Sequence, residues 1–594
     1  MGGHHAGTDA YVRNRLLLGT AALFAFRLGL SLVRAGPLVF ADELGYLSNA
    51  RVLTGGLPAQ LSLAPFYHGG YSLLISPLFL LGAGPQVTYH LVLALNAALA
   101  ASMFWLLHLL LRRCIGIPPR QALAPAFAGS VYPSLTVMSQ VAMSENLLAP
   151  LSCVWLISAW SLLSARPPGR LLAAGVTGAI AAALWAVHGR MLAALALTVS
   201  VAGSLVWRRP RRWRAALVTL LVLGVGVGAA QALSHFLAGR GYGSHASGEL
   251  GTRLSALLGI HPLLTVLTNL VGQFWYLVVA TFGLTVVVGG GTIDAALGRR
   301  RPRGGRWQSD PAGARGSGEQ ARVALLLVGA LAVALLVISA GAFPTRFRPD
   351  MLIYGRYTEI IAPALVAVGL ARLARRGSAF PRRGFLLALV ALTLLVVLIR
   401  QTAHDPGIAN RWDVASLPFL TFQLGSPVLL GAAAVAAAGA WMLGSTRRRM
   451  RFSPAVTACC LYAAVVAYGV LNPVLETQRA VYPSGWTSPQ PVATRLRITH
   501  VAYDLSHYDV VGLYAVQWYL PHAHLELYGG GRQAPPSPFV LSGRGWGRAH
   551  PAAHAGVIWC DRGRDQVLWQ LASPSASAEH SAPGSTPPKK AGCR

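Results

Sequence analysis

Carboxylates are scarce in this chain: 19 Asp plus Glu stand against 50 Lys plus Arg in 594 residues, and only 12% of the residues are charged. A charged share that low excludes an ordinary water-soluble globule. Lysine is confined to Lys589 and Lys590, so the formal charge of +31 is almost wholly arginine. The six cysteines show no CxxC or Cys/His spacing, which removes a zinc reading. Walker A, GxSxG, HExxH and Rossmann glycine patterns are missing too, and nucleotide-driven pumping and soluble-type hydrolase chemistry lose support with them. No basic stripe interleaved with aromatics occurs, so the pI near 11.1 does not mark a nucleic-acid binder.

What is present is apolar. Hydrophobic residues make up 54% of the chain, and the mean hydropathy is +0.50. Runs long enough to cross a bilayer, about 17–25 residues each, fall at 15–35, 86–111, 121–137, 143–165, 171–187, 190–207, 215–237, 263–289, 322–342, 358–374, 384–400, 426–443 and 454–471. Arginines gather on every second connection: Arg13 and Arg15, then the clusters at 112–120, 166–170, 208–214, 299–306, 372–383 and 447–451. By the positive-inside rule those connections are cytoplasmic, so the N-terminus lies inside and everything after 472 outside. The first run has no small-residue cleavage site and reads as an uncleaved signal anchor. The Gly-, Arg-, Pro- and Ser-rich stretch 290–321 reads as a cytoplasmic linker.

Beyond 472 the composition changes. Short strands are expected at 496–504, 523–528, 538–541, 555–560 and 566–571, with a helix at 510–520. The expected fold is therefore an all-α polytopic membrane bundle of about thirteen transmembrane helices (1–471), a small extracytoplasmic α/β domain (472–572) and a Ser-, Pro- and Ala-rich tail (573–594). Cys560 and Cys593, both on the oxidising side in this arrangement, could pair.

With so few acids, those beside the spans carry information. Asp42 and Glu43 follow the first span and open an expected amphipathic interfacial helix, with Leu44, Leu47 and Ala50 on one side and Arg51 on the other. One of the two could serve as a general base toward an acceptor hydroxyl. Equally, Asp42 could cap the helix and Glu43 favour its positive end. The pair could also bind a divalent cation such as Mg or Mn, although no spacing demands a metal. Glu145 sits near membrane depth, where a carboxylate must be paired, hydrogen-bonded or functional. Arg356 can hold a phosphate bidentately or pair with Glu359 three residues on. His188 and Arg190, in WAVHGRML, either touch phosphate or sugar or simply end two spans. His68 with Gly69 and Gly70 reads as a turn, and Arg27 as a charge paired inside the bundle.

Four stretches bear a family likeness: DELGYLSNAR at 42–51, YSLLISP at 71–77, YPSLTVMSQVAMSENLL at 132–148 and YGRYTEIIAPAL at 354–365. Together they resemble the GT-C superfamily of integral membrane glycosyltransferases, similar to the aminoarabinose transferases and protein O-mannosyltransferases. The likeness covers roughly 15–400. It implies a polyprenyl-phosphate-linked sugar as donor, a glycan, lipid or protein acceptor, transfer on the extracytoplasmic face of the cell membrane, and inversion at the anomeric carbon. It points to Asp42 as base with Glu43 as the alternative, and to Arg356, Glu145, His188, Arg190, Tyr46 and Tyr357 as substrate contacts. The competing class is a polytopic transporter or flippase of an envelope lipid or lipid-linked sugar. Transporters of that kind are built from repeats with sites near mid-membrane, whereas no repeat is evident here and the carboxylate pair lies at the boundary of a span.

Overall fold

The computed structural model describes residues 3–39, 41–164, 169–208, 210–242, 260–298, 314–342, 349–376, 382–402, 411–417, 474–484, 486–507, 509–529, 534–553, 555–561 and 565–572. Among them, seven helices are long and apolar enough to cross a membrane: Pro85–Ile115, Glu145–Ser164, Gly169–Val187, Gly189–Trp207, Pro210–Ala238, Ile260–Ala280 and Gly318–Ala340. Shorter apolar helices occur at Gly69–Leu81, Leu284–Ala296, Ala362–Ala374 and Leu386–Ile399. The expected spans at 426–443 and 454–471 lie outside the described residues, as does the tail from 573.

Among the described residues the expected count of about thirteen spans is not confirmed, and two of the expected runs are broken for local causes. The run 263–289 is two helices, Ile260–Ala280 and Leu284–Ala296, separated by Phe282 (φ 52°) and Gly283 (φ 75°) in the left-handed region. Two successive residues there cannot continue a right-handed helix. The run 121–137 is α5 (Pro119–Ser130) followed by α6 (Pro133–Met138). Pro133 drives the preceding Tyr132 to an extended conformation, φ −53° and ψ 134°. The break expected at His188 is present: α8 (Gly169–Val187) and α9 (Leu192–Arg208) flank a single 3-10 turn, Gly189–Met191.

Small residues set the close helix contacts. A side chain at Gly178 of α8 would meet Thr219 O of α10 (Trp213–Ala238) at 2.5 Å, and one at Gly226 would meet Ala182 Cβ at 2.5 Å. Backbone approach of this kind replaces a hydrophobic driving force between membrane helices. At the end of α8, Gly70 of α3 (Gly69–Ile75) lies so near that a Cβ there would be 2.6 Å from Ala186 and Val187 backbone atoms. That contact brings the His68 turn beside the His188 turn.

The interfacial helix expected after Asp42 is corrected. The helix α2 (Asp42–Leu53) is not amphipathic at a surface: every residue from Glu43 to Val52 is buried, Arg51 included. Its polar side chains knit it into the fold instead. Asn49 Nδ2 donates to Tyr67 O at 2.9 Å and Ala59 N donates to Ser48 Oγ at 2.8 Å. Arg51 Nε donates to Leu57 O at 2.7 Å. Arg27 is also buried, and its partner is a backbone oxygen, Ser130 O at 2.6 Å.

The C-terminal elements match expectation closely. Strands β1 (His500–Asp504), β2 (His524–Tyr528), β3 (Phe539–Ser542), β4 (Gly556–Asp561) and β5 (Gln566–Gln570) form one sheet in the order β2-β1-β3-β5-β4, and Val510–Tyr519 is helical. β1 runs parallel to β2 and β3, whereas β5 is antiparallel to β3 and β4. The helix Val510–Tyr519 is buried on two sides. Leu513 and Val516 pack with the sheet residues Val501 and Tyr503, while Tyr514, Ala515, Trp518 and Tyr519 join the core of the helical bundle. Trp518 meets Phe79 and Tyr89 edge-on, each at 6.3 Å, and Gln60 N donates to Gln517 Oε1 at 2.7 Å. The helix Val510–Tyr519 thus fastens the sheet to segments on both sides of α2, since the Tyr519 hydroxyl also donates to Ala35 O. Cys560 is in a disulfide, and Cys593 lies outside the described residues.

Candidate active site

The two adjacent acids part company at the first turn of α2. Glu43 has no exposed surface. Its Oε2 accepts from Leu38 N (2.6 Å) and Val39 N (2.8 Å), and its Oε1 from Ala142 N (2.6 Å) and the Tyr89 hydroxyl (2.7 Å). Burial pushes this carboxyl above its ordinary range, against the four hydrogen bonds, which pull it down. The arrangement ties the segment just before α2 to α4 (Pro85–Leu109) and to the turn before α7 (Glu145–Ser164). Asp42 caps nothing: the N-cap is Ala41, and no side-chain capping bond is made. Its carboxylate keeps 22% of its surface. One oxygen faces Arg356 NH1 at 2.7 Å and the other accepts from the Tyr67 hydroxyl at 2.7 Å. The two acids therefore share no ligand.

Glu145 stands at the start of α7 and holds two arginines at one oxygen. Arg356 Nε lies 2.6 Å and Arg190 NH2 2.9 Å from Glu145 Oε1. Two guanidinium groups, both largely buried, are thereby fixed side by side with Asp42 on the far side of Arg356. Such pairing is what a carboxylate at this depth requires. Arg190 keeps Nε and NH1 without hydrogen-bond partners, and its Cζ sits 4.3 Å over the Tyr357 ring. Arg356 does not pair with Glu359. Glu359 Oε1 instead accepts from the Tyr276 hydroxyl at 2.5 Å and from Ser416 N at 2.9 Å.

Of the expected contacts, Arg356, Glu145, Arg190, His188 and Tyr357 converge with Asp42 in this one place. His188 Nδ1 accepts from Arg190 N at 3.2 Å, and the His188 ring meets Tyr357 at 5.6 Å. Tyr46 lies behind the cluster, 2% exposed, with its hydroxyl donating to Ser144 Oγ at 2.9 Å; Ser144 in turn donates to Glu145 Oε2 at 3.2 Å. This places Tyr46 as a prop for Glu145, and its side chain offers no open surface to a ligand. A cavity of about 20 Å³, room for one water, adjoins Glu145, Arg356, Glu359, Ser134 and Asn146. Among the described residues no three His, Cys, Asp or Glu side chains gather as a metal site.

Sequence reasoning missed the supports. Tyr67 carries no motif, and Ser144 lies within the stretch 132–148 without being singled out. The segment 411–417 reads as plain loop, yet Asp413 O accepts from Gly355 N (2.7 Å) and Arg356 N (3.0 Å), which fixes the turn presenting Arg356. Aromatic density at 66–68 and at Trp185 was the available signal for the wall of rings beside His188.

The fold has known counterparts. ArnT from Cupriavidus metallidurans bound to undecaprenyl phosphate superposes with a TM-score of 0.51 at 16% identity, over 94% of this chain and 98% of that one. The same protein in its apo state gives 0.49 at 16% identity, over 95% and 98%. The arabinosyltransferase EmbB from Mycobacterium smegmatis gives 0.39 at 16% identity, over 80% of this chain and 42% of that one. These are GT-C glycosyltransferases, and the chain resembles the ArnT structures along nearly its whole length. No family model matches the sequence, and no curated protein matches it.

Proposed function

We propose that the protein is a membrane glycosyltransferase that moves a sugar from a polyprenyl-phosphate carrier to an acceptor hydroxyl with inversion. The observation that carries this reading is the convergence of a partly exposed carboxylate, Asp42, with two guanidinium groups held in register by Glu145. A phosphate needs fixed, planar donors, which Arg190 and Arg356 supply. Inverting transfer needs a base on the opposite side of the anomeric carbon, and of the two acids that pair with Arg356, Asp42 is the one that keeps solvent access. The undecaprenyl phosphate bound by the ArnT structure of the same fold is in keeping with such a donor.

In this mechanism the donor phosphate takes hydrogen bonds from Arg356 and from the unpartnered N–H groups of Arg190. It competes with Asp42 for Arg356, so the carboxylate is released from its ion pair as the donor arrives. Asp42 then accepts the acceptor's hydroxyl proton. The acceptor oxygen bonds to the anomeric carbon, the bond from that carbon to the phosphate oxygen breaks, and the polyprenyl phosphate leaves with its negative charge against the two guanidinium groups. Tyr67 holds Asp42 in place, and Glu43 holds the turn that carries it. In this reading the chemistry lies on the extracytoplasmic face of the cell membrane, with residues 1–471 as the catalytic domain and 472–572 as a domain on that same face, and the arginine-rich alternate connections support it.

The test is consumption of a lipid-linked sugar by the purified protein in vesicles. Release of polyprenyl phosphate with loss of the donor supports transfer. Movement of the intact lipid across the bilayer without its consumption contradicts it and favours the transporter class.

A further inference from the structure

Three carbonyls in the stretch before α2 are taken by side chains from beyond residue 472. Gln478 Nε2 donates to Val33 O, the Tyr519 hydroxyl to Ala35 O, and the Tyr482 hydroxyl to Pro37 O at 3.0 Å. Alternate oxygens thus face the C-terminal region, while the one between the first two, Arg34 O, lies 2.8 Å from His90 Nε2 of α4. Pro37 is buried and Ala35 half-buried, where a carbonyl needs a donor. Gly36 permits the approach of both phenols. A Cβ there would stand 2.6 Å from the Tyr482 hydroxyl oxygen and 2.9 Å from that of Tyr519. Trp486 braces the two rings, with centroids 5.0 Å from Tyr482 and 4.8 Å from Tyr519.

This stretch leads straight into the acids. Leu38 N and Val39 N donate to Glu43 Oε2, and Glu43 N donates to Val39 O at 2.9 Å. The first turn of α2, which carries Asp42, is therefore joined to a backbone whose oxygens are held from the C-terminal region. A second line of contact reaches the same turn: Trp518 packs edge-on against Tyr89, whose hydroxyl donates to Glu43 Oε1. The guanidinium groups hang elsewhere. Arg190 and Arg356 rest on Glu145, and the Arg356 backbone rests on Asp413 O.

We infer that the region after 472 is a working part of the catalytic centre, with Tyr482 and Tyr519 as positioning residues that set the Asp42 carboxylate through the 33–39 backbone. The inference rests on the reading of Asp42 as base. Misplacing a reacting group by about 1 Å costs on the order of 10²-fold in rate. Loss of the two hydroxyls should therefore slow transfer and leave phosphate binding alone.

The test compares Tyr482→Phe/Tyr519→Phe with Gly36→Ala, which crowds the same hydroxyls from the other side. Cells whose only copy carries either variant are pulsed with labelled glucose, and the decay of the polyprenyl-phosphate sugar that persists on deletion of the gene is followed. Binding of labelled undecaprenyl phosphate is measured on the purified variants in nanodiscs. Decay should slow about tenfold or more in both, with carrier affinity within about twofold of wild type. Tyr528→Phe is the control: it removes a buried hydroxyl that accepts from Trp546 Nε1 at 2.9 Å within the sheet core. It should change neither readout. Normal decay in the double variant and in Gly36→Ala, with Asp42→Asn inactive, overturns the inference alone. Equal loss of decay and carrier binding, or equal slowing in Tyr528→Phe, makes the tyrosines supports of the fold only and overturns it too. Retained decay in Asp42→Asn removes the base reading, and the inference with it.

Discussion

Two regions of hydrogen bonding meet at the start of α2. Around Glu43, four neutral donors from three parts of the chain saturate a carboxylate that has no exposed surface. Around Asp42, one residue earlier, a single phenol and one guanidinium satisfy a carboxylate that keeps 22% of its surface. The difference separates structure from chemistry. Neutral donors fixed in the backbone cannot leave, so Glu43 behaves as a rivet. A guanidinium can exchange one anion for another, so Asp42 sits in a contact that a phosphate can open.

The comparison breaks most sharply by exchanging one residue for its isostere. Asp42→Asn should lower glycosyl transfer on the order of 10²–10⁴-fold, the usual scale for a lost general base, with little change in thermal unfolding in detergent. If the variant keeps near wild-type turnover, Asp42 is not the base. Glu43→Ala should do the reverse, destabilising the fold by about 3 kcal/mol or more because buried donors lose their acceptor. Unchanged unfolding of that variant would contradict the rivet. The helix α2 was expected at a surface, and that expectation failed because 3.6-residue periodicity cannot see Ser48, Asn49 and Arg51 bonding inward to Ala59, Tyr67 and Leu57.

A smaller effect is expected at the phosphate side of the comparison. Arg190→Gln should raise the apparent KM for the lipid-linked donor about tenfold to a hundredfold, as for loss of a charged hydrogen bond. Arg190→Lys should recover only part of it, since the planar fork is lost. Equal kinetics for the wild type and both variants would remove Arg190 from the donor site.

The smallest effect concerns pH. His68 is neutral in the fold, with its value lowered from 6.5 to about 4 by burial. Between those values the unfolded chain binds a proton that the folded chain refuses, so stability contributed above pH 6.5 is lost as the pH falls toward 4. The loss should be on the order of 2 kcal/mol. His68→Phe should flatten the pH dependence of the unfolding free energy across that window, and an identical slope in variant and wild type would contradict the buried neutral ring.

Much of this was legible in the sequence because membrane chains spend charge sparingly. Asp42, Glu145, Arg190 and Arg356 stood out as isolated charges beside apolar runs, and the structure gathers all four within contact. The strands after residue 496 were legible from alternation, and β1 to β5 fall within a few residues of the expected places. What stayed hidden depended on distant partners or on backbone conformation. Nothing in 263–289 announces that Phe282 and Gly283 turn left-handed. Nothing in RWDVASL at 411–417 announces that Asp413 O holds the Arg356 turn. The family likeness ranked Asp42 before Glu43, but the residues alone did not separate them, because their surroundings differ through Arg356 and Ala142, about three hundred and one hundred residues away.

The most direct measurement is mass analysis of lipid-linked sugars in cells whose only copy of this protein carries Asp42→Asn. One polyprenyl-phosphate sugar should accumulate, to the level seen when the protein is deleted, and one envelope glycan should lose the corresponding residue. A lipid pool and glycan profile matching the wild type, with the variant present in the membrane at normal level, would contradict proton acceptance by Asp42 as the step on which transfer depends.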